Sequence, residues 1–355
     1  MSVYRIDPLN DPRWADFLHS QPAASIFHTP GWLQALRRTY GYEPFVLTTT
    51  PPGRELANGL PFCRIRSWLT GERLVSLPFA DHCQPLFSRS ADLYEVLEQI
   101  CGQPARSARY VEIRPLPPQA LGDALPPTTI EQHTRLRPGN AYRLHRLDLQ
   151  PDLDLLFQAF DKSSIQRGIR RAERLPLTYE EGTSPALLKK FYHLQVLTRR
   201  RHRLPPQPLQ WFRNLLEALG REARIRVVSS DGQPVASILT LFYNRAMVYK
   251  YGCSDPRFNN LHGTTLLFWR TIQQAKQEDA RVFDLGRSDL DNPGLLRFKA
   301  KWGSREFPLA YWRFPPAANH APVFSRGKQA GRQLLARLPD SLLILLGKTL
   351  YKHAG

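Results

Sequence analysis

The residues of this sequence that could do chemistry lie mostly within 246–302. A β-rich run at 247–251 is followed by a polar loop, an amphipathic helix and a second apolar strand at 281–285. This order predicts a right-handed βαβ unit with parallel strands, and the loops that follow both strands should open at one edge of the sheet. The polar residues of those loops are Ser254, Asp255, Asn259, Asn260 and His262 after the first strand, and Gly286, Arg287, Ser288, Asp289 and Asp291 after the second. Ligands of such sheets bind beyond the carboxyl ends of the strands, so we place the site there.

The sequence contains none of the motifs that mark a nucleophile with its base. There is no GxSxG, no HExxH, no Walker loop and no reactive-cysteine signature. A reaction that depends mainly on positioning and electrostatics is therefore favoured. Acyl transfer to an amine is such a reaction, because a deprotonated amine needs only an oriented thioester or ester and stabilisation of the oxyanion.

Three residues of this stretch are candidates for catalytic roles. The Lys299 ammonium could contact a developing oxyanion or a leaving oxygen, and the alternative is a solvent-facing lysine paired with an acid. Asp284 is either a buried hydrogen-bonding anchor or a group that holds the acceptor amine. Tyr251 lies two residues after Tyr249 in a predicted strand, so both side chains should point to one face, as core residues or as proton donors.

The start of the crossover helix could bind a phosphate or pyrophosphate. Its first turn has free backbone N–H groups, and Asn260, His262 and Gly263 lie at or next to it. Gly263 is the single glycine of this segment, which is far less than a full glycine-rich phosphate loop. His262 is either a base or a helix-cap residue.

The net charge of +18 suggests an anionic partner. Within 161–226 the sequence has fifteen Lys and Arg residues against six Asp and Glu residues. A helix predicted over 152–174 carries Arg167, Arg170 and Arg171 on its outer side, where they could hold an anionic part of a donor or acceptor. Suitable partners are a CoA phosphate, an RNA backbone, a nucleotide-linked sugar or acidic lipid head groups, and the alternative is a solvated basic helix face.

Other classes of protein are disfavoured by composition. The four cysteines lack the spacing of a zinc site or a disulfide framework, so we expect buried thiols, no metal site and a reducing compartment. The sequence has no secretory leader and no run of about 18 apolar residues, which predicts a cytoplasmic protein that does not cross a membrane.

The length and pattern of the chain predict two α/β domains and a tail. Helices, a β-meander, a helix and a strand fill 1–147, and the same order recurs in 148–315, where a strand over 307–314 ends the second domain. The repeated order suggests an old duplication. Residues 316–355 form a basic tail with a short apolar helix after Pro339, which either lies in a membrane interface or packs back on the body.

Several phrases of the sequence resemble a known family. LTRRRHRLPPQP, GQPVASILTLFYNRAMVYKYGCSD, VFDLGRSD and GLLRFKAKWG are similar to core motifs of the FemAB-like and CelD-like branch of the GNAT acyltransferase superfamily. SIFHTPGWLQALRRTYGYEP, GLPFCRIR and LVSLPFADHCQPLF resemble FemAB-related proteins associated with bacterial exopolysaccharide and the cell envelope. The resemblance covers nearly the whole chain up to about residue 314.

This resemblance implies a tandem pair of GNAT-like domains with mixed sheets, and transfer of an acyl or aminoacyl group to an amine. The implied co-substrate is acyl-CoA or aminoacyl-tRNA, with no permanently bound cofactor, and the acceptor is an amine of an envelope or polysaccharide precursor. The lysine of the family's closing motif falls on Lys299, and its strand motif falls on Asp284, Arg287 and Ser288. Gln84 stands where the family has a glycine, and the helical hairpin of some tRNA-dependent members is absent.

Two other functions compete with the enzyme hypothesis. A catalytically degenerate protein could dock RNA or an acidic membrane through its basic surface, with strongly salt-dependent binding and no acyl product. An assembly factor for a polysaccharide synthase could be held at the inner face of the membrane by the tail 316–355.

Overall fold

The computed structural model of the chain describes residues 2–102, 107–120, 130–315 and 338–355. These residues form two compact units. The first comprises described residues within Met1–Tyr142, Phe307–Ser325 and Leu350–Gly355, and the second those within Arg143–Glu306 and Arg326–Thr349. Of the predicted tail, residues 316–337 lie outside the described residues.

The first unit has one mixed sheet. Its helices are α1 (Pro12–His19), α2 (Pro30–Tyr40), α3 (Ser90–Cys101) and α4 (Ile130–His133). Its strands are β1 (Tyr4–Ile6), β2 (Glu43–Thr48), β3 (Leu60–Ile65), β4 (Arg73–Ser76), β5 (Tyr110–Ile113) and, from Phe307 onward, β12 (Arg305–Phe314). The strand order is β1-β2-β3-β4-β5-β12, and β4 and β5 run parallel.

Local sequence accounts for the bounds of α2. The Thr29 hydroxyl accepts a hydrogen bond from the Trp32 N–H (3.3 Å), and Pro30 occupies the first helical position, where its missing N–H costs nothing. Gly41 ends the helix in the left-handed region, at φ 70°. Thr29 and Gly41 thus set the start and the end of this helix.

All four cysteines are buried and free of disulfides. Burial raises the pKa of the Cys83 thiol to about 12, so this thiol stays protonated at neutral pH. The prediction of buried thiols is confirmed.

The second unit repeats the plan of the first. Its helices are α5 (Leu153–Ala159), α6 (Arg167–Glu173), α7 (Pro185–Arg201), α8 (Leu209–Leu219), α9 (Gly263–Gln277), α10 (Pro293–Ala300) and α11 (Asp340–Leu350). Its strands are β6 (Arg137–Asp148, from Arg143), β7 (Leu177–Gly182), β8 (Ala223–Ser230), β9 (Gln233–Tyr243), β10 (Ala246–Ser254) and β11 (Val282–Asp289). The strand order is β6-β11-β10-β9-β8-β7. In each unit an antiparallel run of four strands leads to a parallel pair, β4 with β5 and β10 with β11.

Helices cover both faces of the second sheet. The core on one face includes residues of α5, α6 and α9. Helices α7 and α9 both pack on β8, β9 and β10. The core that contains α9 includes no residue of α7 or α8. They therefore cover the opposite face.

The helix predicted over 152–174 is broken in the structure. Helix α5 ends at Ala159, Phe160 is extended, and a π-helical turn over Lys162–Gln166 precedes α6. The Asp161 carboxylate accepts a hydrogen bond from the Ser164 N–H (2.8 Å), so a capping interaction replaces the continuous helix at this point.

The strand predicted to end the second domain belongs to the first unit. Trp312, Arg313 and Phe314 of β12 pair with β5 in an antiparallel register. This pairing is non-local, so the order of elements along the sequence could not reveal it. The predicted limit of 148–315 is therefore too long at its end.

The tail helix α11 packs back on the second unit. A Cβ added at Gly347 would clash with the Pro206 carbonyl oxygen, and Leu343 is fully buried. Arg200 also pairs with Asp340 at its start (2.5 Å). Of the two alternatives for this helix, packing on the body is the one observed. Within the described ranges, no helix is both long and apolar enough to cross a membrane.

Candidate active site

The two parallel strands of the second unit diverge toward their carboxyl ends. Strands β10 and β11 pair at Ala246 with Val282, Met247 with Phe283 and Val248 with Asp284. Beyond these pairs, β10 continues to residue 254 and β11 to residue 289. The predicted βαβ unit is confirmed, and the divergence leaves backbone groups of both strands unpaired with each other.

A β-bulge in β10 overturns the prediction for its two tyrosines. The register with β9 shifts between Tyr249 and Tyr251, so Lys250 is an extra residue and the alternation of side chains reverses. The Tyr249 ring packs against the Phe268 ring of α9, with 4.8 Å between the ring centroids. The Tyr251 hydroxyl instead accepts a hydrogen bond from the Trp211 indole N–H of α8 (2.9 Å). The prediction that both tyrosines share one face is wrong.

An open cavity of about 1010 Å³ lies where the segments that follow β10 and β11 meet α6. Its walls come from the turn before α6, from the start of α9 and from α10. The lining is strongly cationic, with Arg167, Arg171, Arg297 and Lys301, and His262 adds an imidazole. Ser163, Ser164 and Thr265 add hydroxyl groups. Guanidinium, ammonium and hydroxyl groups around an open cavity suit a phosphate or another polyanion.

Short-range contacts hold the cavity walls together. The Asp161 N–H donates to the Lys301 carbonyl oxygen (2.9 Å), which joins the π-helical turn to the end of α10. Gly168 brings α6 against the start of α9, because a Cβ there would lie 3.1 Å from His262 Nδ1. Arg167 and Arg171 are one helical turn apart, so both side chains reach the same cavity.

His262 sits at the helix-cap position of α9 with left-handed backbone angles, φ 55° and ψ 30°. Burial lowers the pKa of its imidazole, and the positive charges of Arg171 and Arg167 lower it further. The neutral imidazole is therefore favoured at neutral pH. Both alternatives for this residue, a cap position and a proton acceptor, are compatible with this geometry.

Lys299 is buried beside the end of β11, with only 2% of its surface exposed. Its ammonium donates to the carbonyl oxygens of Gly286 (2.8 Å) and Arg287 (3.0 Å). The alternative of a solvent-facing lysine is therefore wrong. Lys299 fixes the backbone of β11 where that strand has left β10, at the glycine with φ 70°.

Asp284 is a buried anchor on the same strand. Its carboxylate accepts a hydrogen bond from the Gly286 N–H (2.7 Å), and Arg146 lies 3.8 Å away on β6. His145 lies on β6 next to Arg146, and its pKa is lowered by burial and by the positive charge of Lys299. Asp284 and Lys299 thus hold Gly286 from two sides.

The remaining predicted site residues lie outside the cavity lining. Arg170 is exposed and stacks on the Phe157 ring at 5.4 Å. Gly263 packs against the sheet, because a Cβ there would lie 3.1 Å from a Val235 methyl group. The others are Asn260, which is exposed, and Arg287, Ser288 and Asp289 at the end of β11. The Ser288 hydroxyl is buried and has no hydrogen-bond partner within the described chain.

Two cationic residues of the cavity were not among the predicted site residues. Arg297 and Lys301 lie on one side of α10 and its end, on either side of Lys299 in the sequence. Their spacing of four residues is the helical signal that could have identified them.

Comparison with known proteins agrees with this geometry. Residues 161–300 match the family model described as an acetyltransferase (GNAT) domain. This segment is similar to GNAT acetyltransferase domains. It includes α6, α9, α10 and the parallel strands β10 and β11, so it contains every residue of the cavity except Lys301. No curated protein sequence matches the chain significantly.

Solved structures share the fold of most of the chain. FemX is similar with a TM-score of 0.70 at 14% identity, over 88% of this chain and 97% of that chain. A tandem GNAT protein from the clavulanic acid biosynthesis pathway gives 0.55 at 12% identity, over 88% and 97%. L-PGS from Bacillus licheniformis gives 0.54 at 13% identity, over 98% of each chain. The expected tandem GNAT-like fold, and the resemblance to the FemAB-like branch at the level of fold, are confirmed.

Proposed function

We propose that this GNAT protein is an N-acyltransferase that moves an acyl or aminoacyl group from a phosphate-bearing donor to an amine. The observation that carries the proposal is the cationic cavity at the start of α9, next to the diverging ends of β10 and β11. The donor is acyl-CoA or aminoacyl-tRNA, since both join an activated carbonyl to phosphates. The acceptor is an amine of a cell-envelope or exopolysaccharide precursor.

The cavity residues would bind the donor through its charge. Arg167 and Arg171 on one wall and Arg297 and Lys301 on the other can each form charge-assisted hydrogen bonds with phosphate oxygens. The first turn of α9 adds free backbone N–H groups and the positive end of the helix dipole. Arg170 has no part in this role, because its side chain lies over Phe157 instead.

The diverging strands would hold the reacting carbonyl. The deprotonated amine attacks the carbonyl carbon, the new C–N bond forms, and the carbonyl oxygen becomes an oxyanion. Backbone N–H groups of the diverging strand ends would stabilise that oxyanion. The C–S bond of a thioester, or the C–O bond of an aminoacyl ester, then breaks, and the leaving group takes up the proton that the amine releases.

In this mechanism Lys299 is a positioning residue. Both of its acceptors are carbonyl oxygens of β11, so the ammonium sets the course of that strand rather than being exposed to solvent. Asp284 acts with it through the Gly286 N–H. Tyr251 is a predicted proton donor, and its hydroxyl lies on the face of the sheet that α8 covers, so any proton transfer by this residue would have to take place there.

Product analysis tests this proposal. The purified protein is incubated with amine-bearing envelope precursors and either acyl-CoA or aminoacyl-tRNA, and mass spectrometry detects the acylated amine. We expect the mass of one acyl group on the acceptor with one of the two donors. Salt-dependent RNA binding without any acylated product from either donor would favour the degenerate binding protein instead.

A further inference from the structure

The turn between β3 and β4 presents two large apolar side chains to solvent. Trp68 is 85% exposed and Leu69 is 48% exposed. Other tryptophans of the described chain, such as Trp14, Trp32 and Trp302, are fully buried. It is unusual for a tryptophan to stay this exposed in the folded protein, and large exposed apolar groups mark interaction surfaces.

The exposed side chains stand on an ordered turn. The Ser67 hydroxyl accepts hydrogen bonds from the N–H groups of Leu69 (3.2 Å) and Thr70 (2.9 Å). The Gly71 N–H closes the turn on the Ser67 carbonyl oxygen (2.8 Å), with Gly71 in the left-handed region at φ 78°. Exposure of Trp68 is thus built into the turn, and binding would require little further ordering of the backbone.

Two cationic residues lie close to this turn. Arg109 is exposed and its guanidinium donates to the Thr70 carbonyl oxygen (3.4 Å). Lys352 is exposed next to His353, whose ring lies 5.5 Å from the Trp68 ring. These two cations, together with the net charge of +18, favour an anionic surface as the partner.

The size and shape of the turn favour a bilayer over a protein partner. A stable protein interface buries about 800 Å² per partner, whereas one tryptophan and one leucine on a convex turn supply roughly 300 Å². Shallow insertion into a lipid surface needs no complementary pocket, and its strength comes from buried apolar area plus attraction to anionic head groups. Tryptophan is also the side chain that is enriched at the boundary between head groups and acyl chains.

We propose that the turn at residues 67–71 inserts Trp68 and Leu69 into the surface of an acidic phospholipid bilayer, with Arg109 and Lys352 beside it against the head groups. The inserted side chains belong to the turn and not to the tail helix α11, although Lys352 lies within the tail 316–355 that the sequence suggested as a membrane contact. This insertion requires no catalytic activity and does not depend on the proposed acyl transfer.

Vesicle binding by the full chain tests the proposal. Co-sedimentation is measured with phosphatidylcholine vesicles that contain or lack phosphatidylglycerol. We expect binding to the acidic vesicles that weakens with added salt, and about a tenfold or greater loss of affinity in the Trp68→Ser/Leu69→Ser variant. Both side chains are exposed, so this variant should keep the melting temperature of the wild type.

Two control variants make the result specific. Leu155→Ser removes another exposed leucine, 57% accessible on α5, and should leave vesicle binding unchanged. Leu342→Ser/Leu345→Ser removes the exposed apolar side chains of α11, and should reduce binding much less than the change in the turn.

Fluorescence gives an independent readout. Brominated lipids should quench the emission of the wild type, and Trp68→Phe should bind the same vesicles with most of that quenching lost. The proposal is overturned if the wild type fails to bind acidic vesicles at low salt. It is equally overturned if the turn variant binds as well as the wild type, or if only the α11 variant loses binding.

Discussion

At the scale of single residues, the proposed donor site depends on which arginines face the cavity. Arg167 and Arg171 line it, while Arg170, on the same helix and with the same charge, stacks on Phe157. The sequence placed all three on one outer helix face, because it could not show how α6 is rotated after the break at Asp161. The structure therefore distinguishes Arg170 from Arg167 and Arg171, which the sequence alone could not do.

This difference gives a matched pair of variants. Arg167→Ala/Arg171→Ala should weaken equilibrium binding of the donor about 10- to 100-fold, because each loses a charge-assisted hydrogen bond to phosphate. Arg170→Ala, measured by the same calorimetric titration, should bind the donor within about twofold of the wild type. Equal losses in the two variants would show that only the general positive charge matters.

His262 should make donor binding depend on pH. Burial, Arg171 and Arg167 lower its pKa in the free protein, and a bound phosphate would raise that pKa by adding negative charge nearby. Protonation and donor binding therefore favour each other, so affinity should increase as the pH falls through the range between the raised and the lowered pKa.

The measurement for His262 is the donor dissociation constant between pH 5 and 8. In the His262→Gln variant the affinity for the donor should no longer rise as the pH falls. Any remaining pH dependence, due to titration of the donor's own phosphates, should be the same in both proteins. A wild-type profile identical to that of the variant would place the imidazole outside the binding equilibrium.

At the scale of elements, the end of β11 is the part that Lys299 organises. Lys299→Met should lower the free energy of unfolding by about 1–3 kcal/mol, since two buried carbonyl oxygens lose their donor. It should also reduce kcat at least about tenfold while leaving the dissociation constant of the donor unchanged, because the cavity itself is intact.

A second lysine supplies the control for this experiment. Lys276 on α9 also donates to two backbone carbonyl oxygens, those of Leu149 (2.7 Å) and Gln150 (3.1 Å), away from the strand ends. Lys276→Met should lose stability without losing kcat. If Lys299→Met keeps the full kcat of the wild type, the lysine has no part in the mechanism.

The sequence predicted the βαβ unit because its signals are local. Alternation in β10, an amphipathic α9 and an apolar β11 follow one another within 246–302 and need no distant contact. The bulge at Lys250 escaped detection, since one extra residue within AMVYKYGCS leaves the composition of the strand unchanged. The partners of Lys299 could not be inferred either, because they depend on the left-handed backbone of Gly286.

At the scale of the whole molecule, the two units share an order of strands, and the family match falls on the second. The duplication expected from the order of elements is consistent with the parallel pairs β4–β5 and β10–β11. What sequence order could not supply is the place of β12 beside β5, which is set by pairing between distant residues. The predicted charge excess within 161–226 did locate one wall of the cavity.

The most direct test of the proposed donor site is a crystal structure of the protein with a non-hydrolysable donor, either an acyl-CoA thioether or an aminoacyl-tRNA amide analogue. We predict phosphate density against Arg167, Arg171 and Arg297, with the acyl carbonyl between the diverging ends of β10 and β11. Donor bound elsewhere, with the cavity and the strand ends left empty, would contradict the assignment.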